Sequence, residues 1–86
     1  MSYTLYILHT SSDTYYTGIT TDLERRLSEH RNKSPKSAKY MRAQDDFSLV
    51  YTESLPDRSS ALKREYHIKQ LTKQQKQQLI TKSNQS

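Results

Sequence analysis

The stretch TYYTGITTDLERRLSEH, Thr14–His30, decides the fold. Tyr15, Tyr16, Thr17, Ile19 and Thr20 are β-forming residues gathered in a short run, which reads as a strand. Gly18, the single glycine of the chain, sits inside that run. A lone glycine within a strand marks a bulge or a place where another group comes close to the backbone. Thr21-x-x-Glu24 then has the form of a capping box, so a helix is expected from about Asp22 to Arg31. Leu23 and Leu27 supply its apolar stripe, and Arg26 and His30, at i and i+4, share one face. A strand bearing tyrosines, a gap beside them and a helix presenting cations together predict an anion site.

Toward the N-terminus, Tyr3–Thr10 alternates with apolar or aromatic residues on both faces, which predicts a central strand covered on both sides. Ser11-Ser12-Asp13 is turn chemistry, so Thr14–Thr20 returns as the second arm of a hairpin. A three-residue loop would set Gly18 almost opposite Tyr6, with Tyr6, Tyr16 and Gly18 on one face. Toward the C-terminus, Asn32–Gln44 lacks a period, is interrupted by Ser34-Pro35, and carries Lys33, Lys36, Lys39 and Arg42. Tyr40 and Met41 are candidates to anchor a helical turn there. Phe47–Thr52 alternates Phe47, Leu49 and Tyr51 against Ser48, Val50 and Thr52 and reads as a third strand. Asp57 is the expected cap of a second helix reaching about Gln70, with Ala61, Glu65 and Ile68 along one row and Leu62, Tyr66 and Lys69 along the next. Thr72-x-x-Gln75 opens a third helix through about Thr81. The order β-β-α-loop-β-α-α is α+β, with one domain over residues 1–82 and a disordered tail at 83–86.

Composition bounds the function. With 86 residues and 31% apolar content the core is thin. The absence of cysteine removes disulfides and thiolate metal sites. Leu5-Tyr6-Ile7-Leu8 is too short for a signal-peptide core or a membrane span, so a cytoplasmic protein without a membrane is expected. Fourteen Lys and Arg against nine Asp and Glu leave a net charge of +5, which favours nucleic acid as partner. One glycine excludes both a phosphate-binding G-x-x-x-x-G-K-[ST] loop and a G-x-S-x-G nucleophile turn. His9, His30 and His67 have no ligand spacing, which leaves a zinc hydrolase unsupported. The acids are too scattered for a two-metal nuclease. Glu65 borders the apolar row of its helix, where a carboxylate is paired or metal-bound; an ion pair with Arg26 or a lysine is the structural alternative.

Thr4-Leu5-Tyr6, followed ten residues on by Tyr16-Thr17-Gly18, resembles the two halves of the GIY-YIG nuclease signature. Asp22–His30 resembles the helix that follows, and Ala61-Leu62-Lys63-Arg64-Glu65 the later helix that bears the family's acid. The spacing is most similar to the small, single-domain bacterial members of the UPF0213 type. The resemblance implies a three-stranded antiparallel sheet with the first strand central, and phosphodiester hydrolysis with one divalent cation, Mg²⁺ or Mn²⁺. It implies that Tyr6 and Tyr16 line the site, that Arg26 faces the scissile phosphate, that His30 assists proton transfer or positions water, and that Glu65 binds the metal. Three departures stand out. The first motif keeps only its tyrosine, Ile19 stands where some members have lysine, and Gln74, Gln75, Gln77 and Gln78 occupy the region of a family asparagine. Tyr6 acts as a base if the metal or Arg26 favours its phenolate, and otherwise orients water.

The expected function is a metal-dependent DNA endonuclease, or nuclease-like domain, of low sequence specificity. RNA and branched nucleic acid are alternative substrates, and a partner protein could supply targeting. The alternatives are a non-catalytic nucleic-acid-binding module using the same phosphate site and a partner-binding scaffold. Lys33, Lys36, Lys39 and Arg42 are expected to form a mobile basic rim on backbone phosphates.

Overall fold

The computed structural model describes residues 2–84. A three-stranded antiparallel sheet of order β2-β1-β3 is formed by β1 (Tyr3–Thr10), β2 (Tyr15–Thr20) and β3 (Phe47–Leu55). Helices α1 (Leu23–Arg31) and α2 (Lys39–Arg42) lie between β2 and β3 in sequence, and α3 (Arg58–Lys69) and α4 (Lys73–Asn84) follow. The α+β class, the central first strand and the element order match expectation.

Both faces of β1 are buried, which explains its two-sided apolar pattern. Leu5 and Ile7 pack with Ile68 of α3 and Ile80 of α4. Tyr6 and Leu8 pack on the other face with Leu27 of α1 and Met41 of α2. Thus α2, only one turn long, is pinned by Met41, whereas Tyr40, the other residue expected to anchor it, is exposed.

The hairpin turns through Ser11-Ser12-Asp13, with Asp13 in the left-handed region at φ 60°. Asp tolerates that conformation, and a three-residue loop with its last residue left-handed is a common hairpin connection. This loop sets the register, so that Tyr6 faces Gly18 and Leu8 faces Tyr16. Asp13 also accepts from Lys73 Nζ at 2.7 Å, tying the turn to the start of α4.

Four expectations need correction. Asp22 rather than Thr21 caps α1: its carboxylate accepts from Arg25 N at 3.1 Å, while Thr20 Oγ1 braces the Asp22 backbone. A register shift between Ile7 and Leu8 leaves one extra residue on β3, so Val50 and Tyr51 both pack on the Leu5/Ile7 side while Phe47 packs on the other. β3 also extends to Leu55, because the β1 pairing continues to Tyr3. Finally, α4 continues through Asn84, so residues 83–84, assigned to the tail, are helical, and residues 85–86 lie outside the described residues. The caps at Asp57 and Thr72 stand as expected. Asp57 accepts from Ser60 N at 2.8 Å, and Thr72 and Gln75 exchange side-chain to backbone bonds at 2.9 and 3.2 Å.

Candidate active site

Gly18 is required for space, since its φ is not positive. A Cβ built there would meet the Tyr6 hydroxyl at 2.5 Å and its ring carbon Cζ at 2.6 Å. Tyr6 therefore lies across the backbone of β2 with its hydroxyl over the one residue that lacks a side chain. The ring is 1% exposed. Tyr16, two residues along β2 on the same face, has its ring 6.4 Å from that of Tyr6. Helix α1 brings His30 against both, with ring centroids 6.1 Å from Tyr6 and 5.6 Å from Tyr16.

A chain of polar contacts runs through the cluster. The Arg26 guanidinium lies beside the Tyr6 hydroxyl. That hydroxyl is 3.1 Å from His30 Nε2. His30 Nδ1 is 2.6 Å from Ser37 Oγ, which in turn donates to the Ala38 carbonyl at 3.4 Å. A guanidinium can only donate and a carbonyl can only accept, so the chain has one consistent polarity. Tyr6 donates to Nε2, and Nδ1 carries the imidazole proton and donates to Ser37; this tautomer is assigned from the network.

Burial governs the ionisation here. It pushes the Tyr6 phenol up to about 12; Arg26 pulls the other way, and the charges at Tyr16 and Glu65 add to the rise. Burial likewise pushes the His30 imidazolium down to about 4, with the Arg26 charge in support. At neutral pH Tyr6 is thus a neutral hydroxyl and His30 a neutral imidazole.

Arg26 is held in place twice, donating to Glu29 Oε1 at 3.1 Å and to the Lys36 carbonyl at 2.6 Å. The second contact ties the backbone of the basic loop to the site at Lys36. The loop after α1 is fastened to the site through Lys36 and Ser37. It starts from a helix stop in which Lys33, at φ 52°, adopts the left-handed conformation usual for glycine. There Ser34 N reaches Glu29 O at 3.0 Å and Lys33 N reaches His30 O at 3.2 Å. The side chains of Lys33, Lys36, Lys39 and Arg42 are exposed.

Glu65 comes from α3, whose Ile68 packs on the opposite face of the sheet from Tyr6. Even so, its charge acts on the Tyr6 phenol. Its side chain is 20% exposed and faces Lys69 Nζ at 3.5 Å, a loose ion pair with a half-exposed lysine. A carboxylate so placed fits a hard cation that keeps most of its waters and takes its remaining ligands from a substrate phosphate. It does not make a preformed cage: among the described residues no three His, Cys, Asp or Glu cluster to hold a metal. Gln74, Gln77 and Gln78 line a depression with Thr81 and Lys82, and none of Tyr6, Tyr16, Arg26, His30 and Glu65 lines it.

Sequence reasoning missed Ser37. It is 4% exposed and partners the buried ring nitrogen of His30. A serine in an aperiodic basic loop carries no sequence signal for this role. Its position seven residues after His30 acquires meaning only once the helix stop at Lys33 folds the chain back.

A family model for the GIY-YIG catalytic domain matches residues 2–78. The chain belongs to the GIY-YIG family. Within this nuclease-type family it is similar to the proteins called UPF0213. It is 46% identical over 79 residues to the UPF0213 protein YhbQ of Escherichia coli O139:H28, covering 92% of this chain and 77% of that one. It is 50% identical over 76 residues to a UPF0213 protein of Yersinia pestis, covering 88% and 78%. Among solved structures, the solution structure of the UPF0213 protein BH0048 from Bacillus halodurans aligns with a TM-score of 0.60 at 38% identity, covering 94% of this chain and 84% of that one. That of EF2693 from E. faecalis aligns with a TM-score of 0.69 at 34% identity, covering 100% and 90%. The segments that resemble the two halves of the signature lie on β1 and β2, which carry Tyr6, Tyr16 and Gly18. Among the described residues, no helix is long and apolar enough to cross a membrane.

Proposed function

We propose that this GIY-YIG domain is a divalent-metal-dependent endonuclease that hydrolyses nucleic-acid phosphodiesters with low sequence specificity. The observation that carries this reading is the polarised chain Arg26–Tyr6–His30–Ser37, with Glu65 close enough for its charge to act on Tyr6. Arg26 is a fixed cation that offsets charge developing on the phosphate. Tyr6, a neutral hydroxyl already donating to His30, presents an oxygen lone pair that orients the attacking water. The water's proton has a route to Tyr6 and, by displacement of the Tyr6 proton, to the free lone pair of His30 Nε2. Ser37 holds the imidazole in the tautomer that leaves this lone pair free. Tyr16 closes one wall. Glu65 would hold Mg²⁺ or Mn²⁺, which when bound supplies charge neutralisation at the phosphate. Lys33, Lys36, Lys39 and Arg42 contact flanking phosphates without reading bases, which accounts for the low specificity.

A non-cutting module that binds nucleic acid at the same site is the second reading. The Lys69–Glu65 contact favours it, because a lysine can neutralise the carboxylate without a metal. Plasmid nicking in the presence and absence of Mn²⁺ separates them: metal-dependent nicking supports the nuclease, and binding without nicking supports the module.

A further inference from the structure

We propose that Tyr40 is a stacking platform for an unpaired nucleobase beside the phosphate site, so that the favoured substrate is single-stranded or locally unpaired nucleic acid. This rests on the nucleic-acid reading above and adds the substrate's strandedness. Tyr40 is 44% exposed although it belongs to a helix whose anchoring is done by its neighbour Met41, 1% exposed. Its ring lies nearly parallel to that of Tyr16, at 11° and 6.3 Å between centroids. Tyr16 in turn meets His30 edge-on at 5.6 Å. An aromatic surface therefore runs without a break from the buried cluster to solvent. The Tyr40 hydroxyl is bonded to Thr14 Oγ1, which fixes the ring's position on the rim.

Cations lie on the same segment as this surface. Lys39 and Arg42, both exposed, share the single turn of α2 with Tyr40, and the Lys36 carbonyl is held by Arg26 itself. Cations that track a backbone, with an aromatic face set among them, form the arrangement that binds single strands: phosphates meet the cations and a base stacks on the ring. In a duplex both faces of each base are covered by its neighbours, so a ring on the rim meets only edges and backbone. An unpaired base offers its face.

The test uses the full chain with Glu65→Gln to prevent cutting, and two fluorescent probes: a mixed-sequence twelve-nucleotide DNA strand carrying 2-aminopurine, and the blunt duplex of the same sequence. Kd is measured by anisotropy across a salt series. Tyr40→Ala should weaken single-strand binding about 5- to 150-fold, the range for losing one stacked base. The slope of log affinity against log salt should stay the same, because the cations that neutralise the phosphates are all still present. Tyr40→Phe should keep the affinity, and Thr14→Val, which removes the hydroxyl's partner together with the Thr14 bond to Thr10 Oγ1, should keep most of it. Wild-type Tyr40 should quench 2-aminopurine and the alanine variant should not. Equal weakening of duplex and single strand, loss on Thr14→Val matching that on Tyr40→Ala, or no change in single-strand affinity would each overturn the platform while leaving the phosphate site standing. Failure of both probes to bind at low salt would overturn the nucleic-acid reading and the platform together.

Discussion

Replacing Gly18 by alanine tests the geometry on which the site depends. The added methyl would stand 2.5 Å from the Tyr6 hydroxyl and 2.6 Å from Cζ, against 3.4–4 Å for ordinary contact. The ring must therefore retreat by roughly 1 Å, a displacement that costs a catalytic group about a hundredfold in rate. It has little room to do so, being 1% exposed and backed by His30 and Tyr16. Overpacking of this kind costs about 1–3 kcal/mol, partly offset by the ~0.5–1 kcal/mol that alanine gains over glycine in a strand. The expected net loss is about 1–2 kcal/mol, or roughly 5–15 °C in Tm for a domain of this size. Urea unfolding of Gly18→Ala, Tyr6→Leu and the double variant measures it. With leucine at position 6 the clash disappears, and Gly18→Ala should become neutral or slightly stabilising, a coupling of about 1–3 kcal/mol. Gly18→Ala that is harmless in the wild-type background, or equally harmful in both, would refute the close approach of Tyr6 to β2.

Three further outcomes follow from the structure. His30 is held neutral with its pKa near 4 against an ordinary 6.5, so between those values the unfolded chain binds the extra proton. Stability should be fully present above about pH 6.5 and fall by order 3 kcal/mol toward pH 4, and His30→Gln should flatten that limb of a Tm-against-pH curve. Lys33→Gly relieves the left-handed backbone at φ 52° and should raise stability by about 0.5–1 kcal/mol in urea unfolding. Lys36→Ala with Lys39→Ala should lower the salt slope of duplex binding, by about 0.9 for each phosphate no longer neutralised, with little change in Tm, since both side chains are exposed.

Much of the fold was legible because local chemistry and tertiary demand agree. Tyr3–Thr10 is apolar on both faces because it is the covered central strand, and the length of the Ser11–Asp13 turn sets Gly18 opposite Tyr6. The Thr72/Gln75 box forms as written. The first helix start slipped by one residue because Thr21, Asp22 and Glu24 offer two competing caps, and the carboxylate took the role. The alternation of Phe47–Thr52 was misleading because a bulge at Val50 is fixed by pairing with β1, which no local pattern reveals. The site divides in the same way. Tyr6, Tyr16, Gly18, Arg26 and His30 sit on elements with strong periodic signals, and their clustering follows from register. Ser37, the fastening of Lys36 to Arg26 and the parallel rings of Tyr16 and Tyr40 depend on how an aperiodic loop folds back, so they emerge only in three dimensions.

Glu65 is the residue on which the proposed chemistry turns. It lies on a helix whose Ile68 packs on the other face of the sheet, its charge acts on the Tyr6 phenol, and it pairs loosely with the half-exposed Lys69 at 3.5 Å. Glutamine keeps its size and a neutral oxygen and removes the charge that would hold a divalent cation. The most direct measurement is cleavage of supercoiled plasmid by wild type and Glu65→Gln over a Mn²⁺ titration, with Tm recorded on the same samples. The account predicts Mn²⁺-dependent nicking by wild type, a loss of at least about a hundredfold in the variant, and a Tm close to or above that of wild type. Nicking by Glu65→Gln at the wild-type rate, or a variant that unfolds because the Lys69 ion pair was the carboxylate's true role, would contradict it.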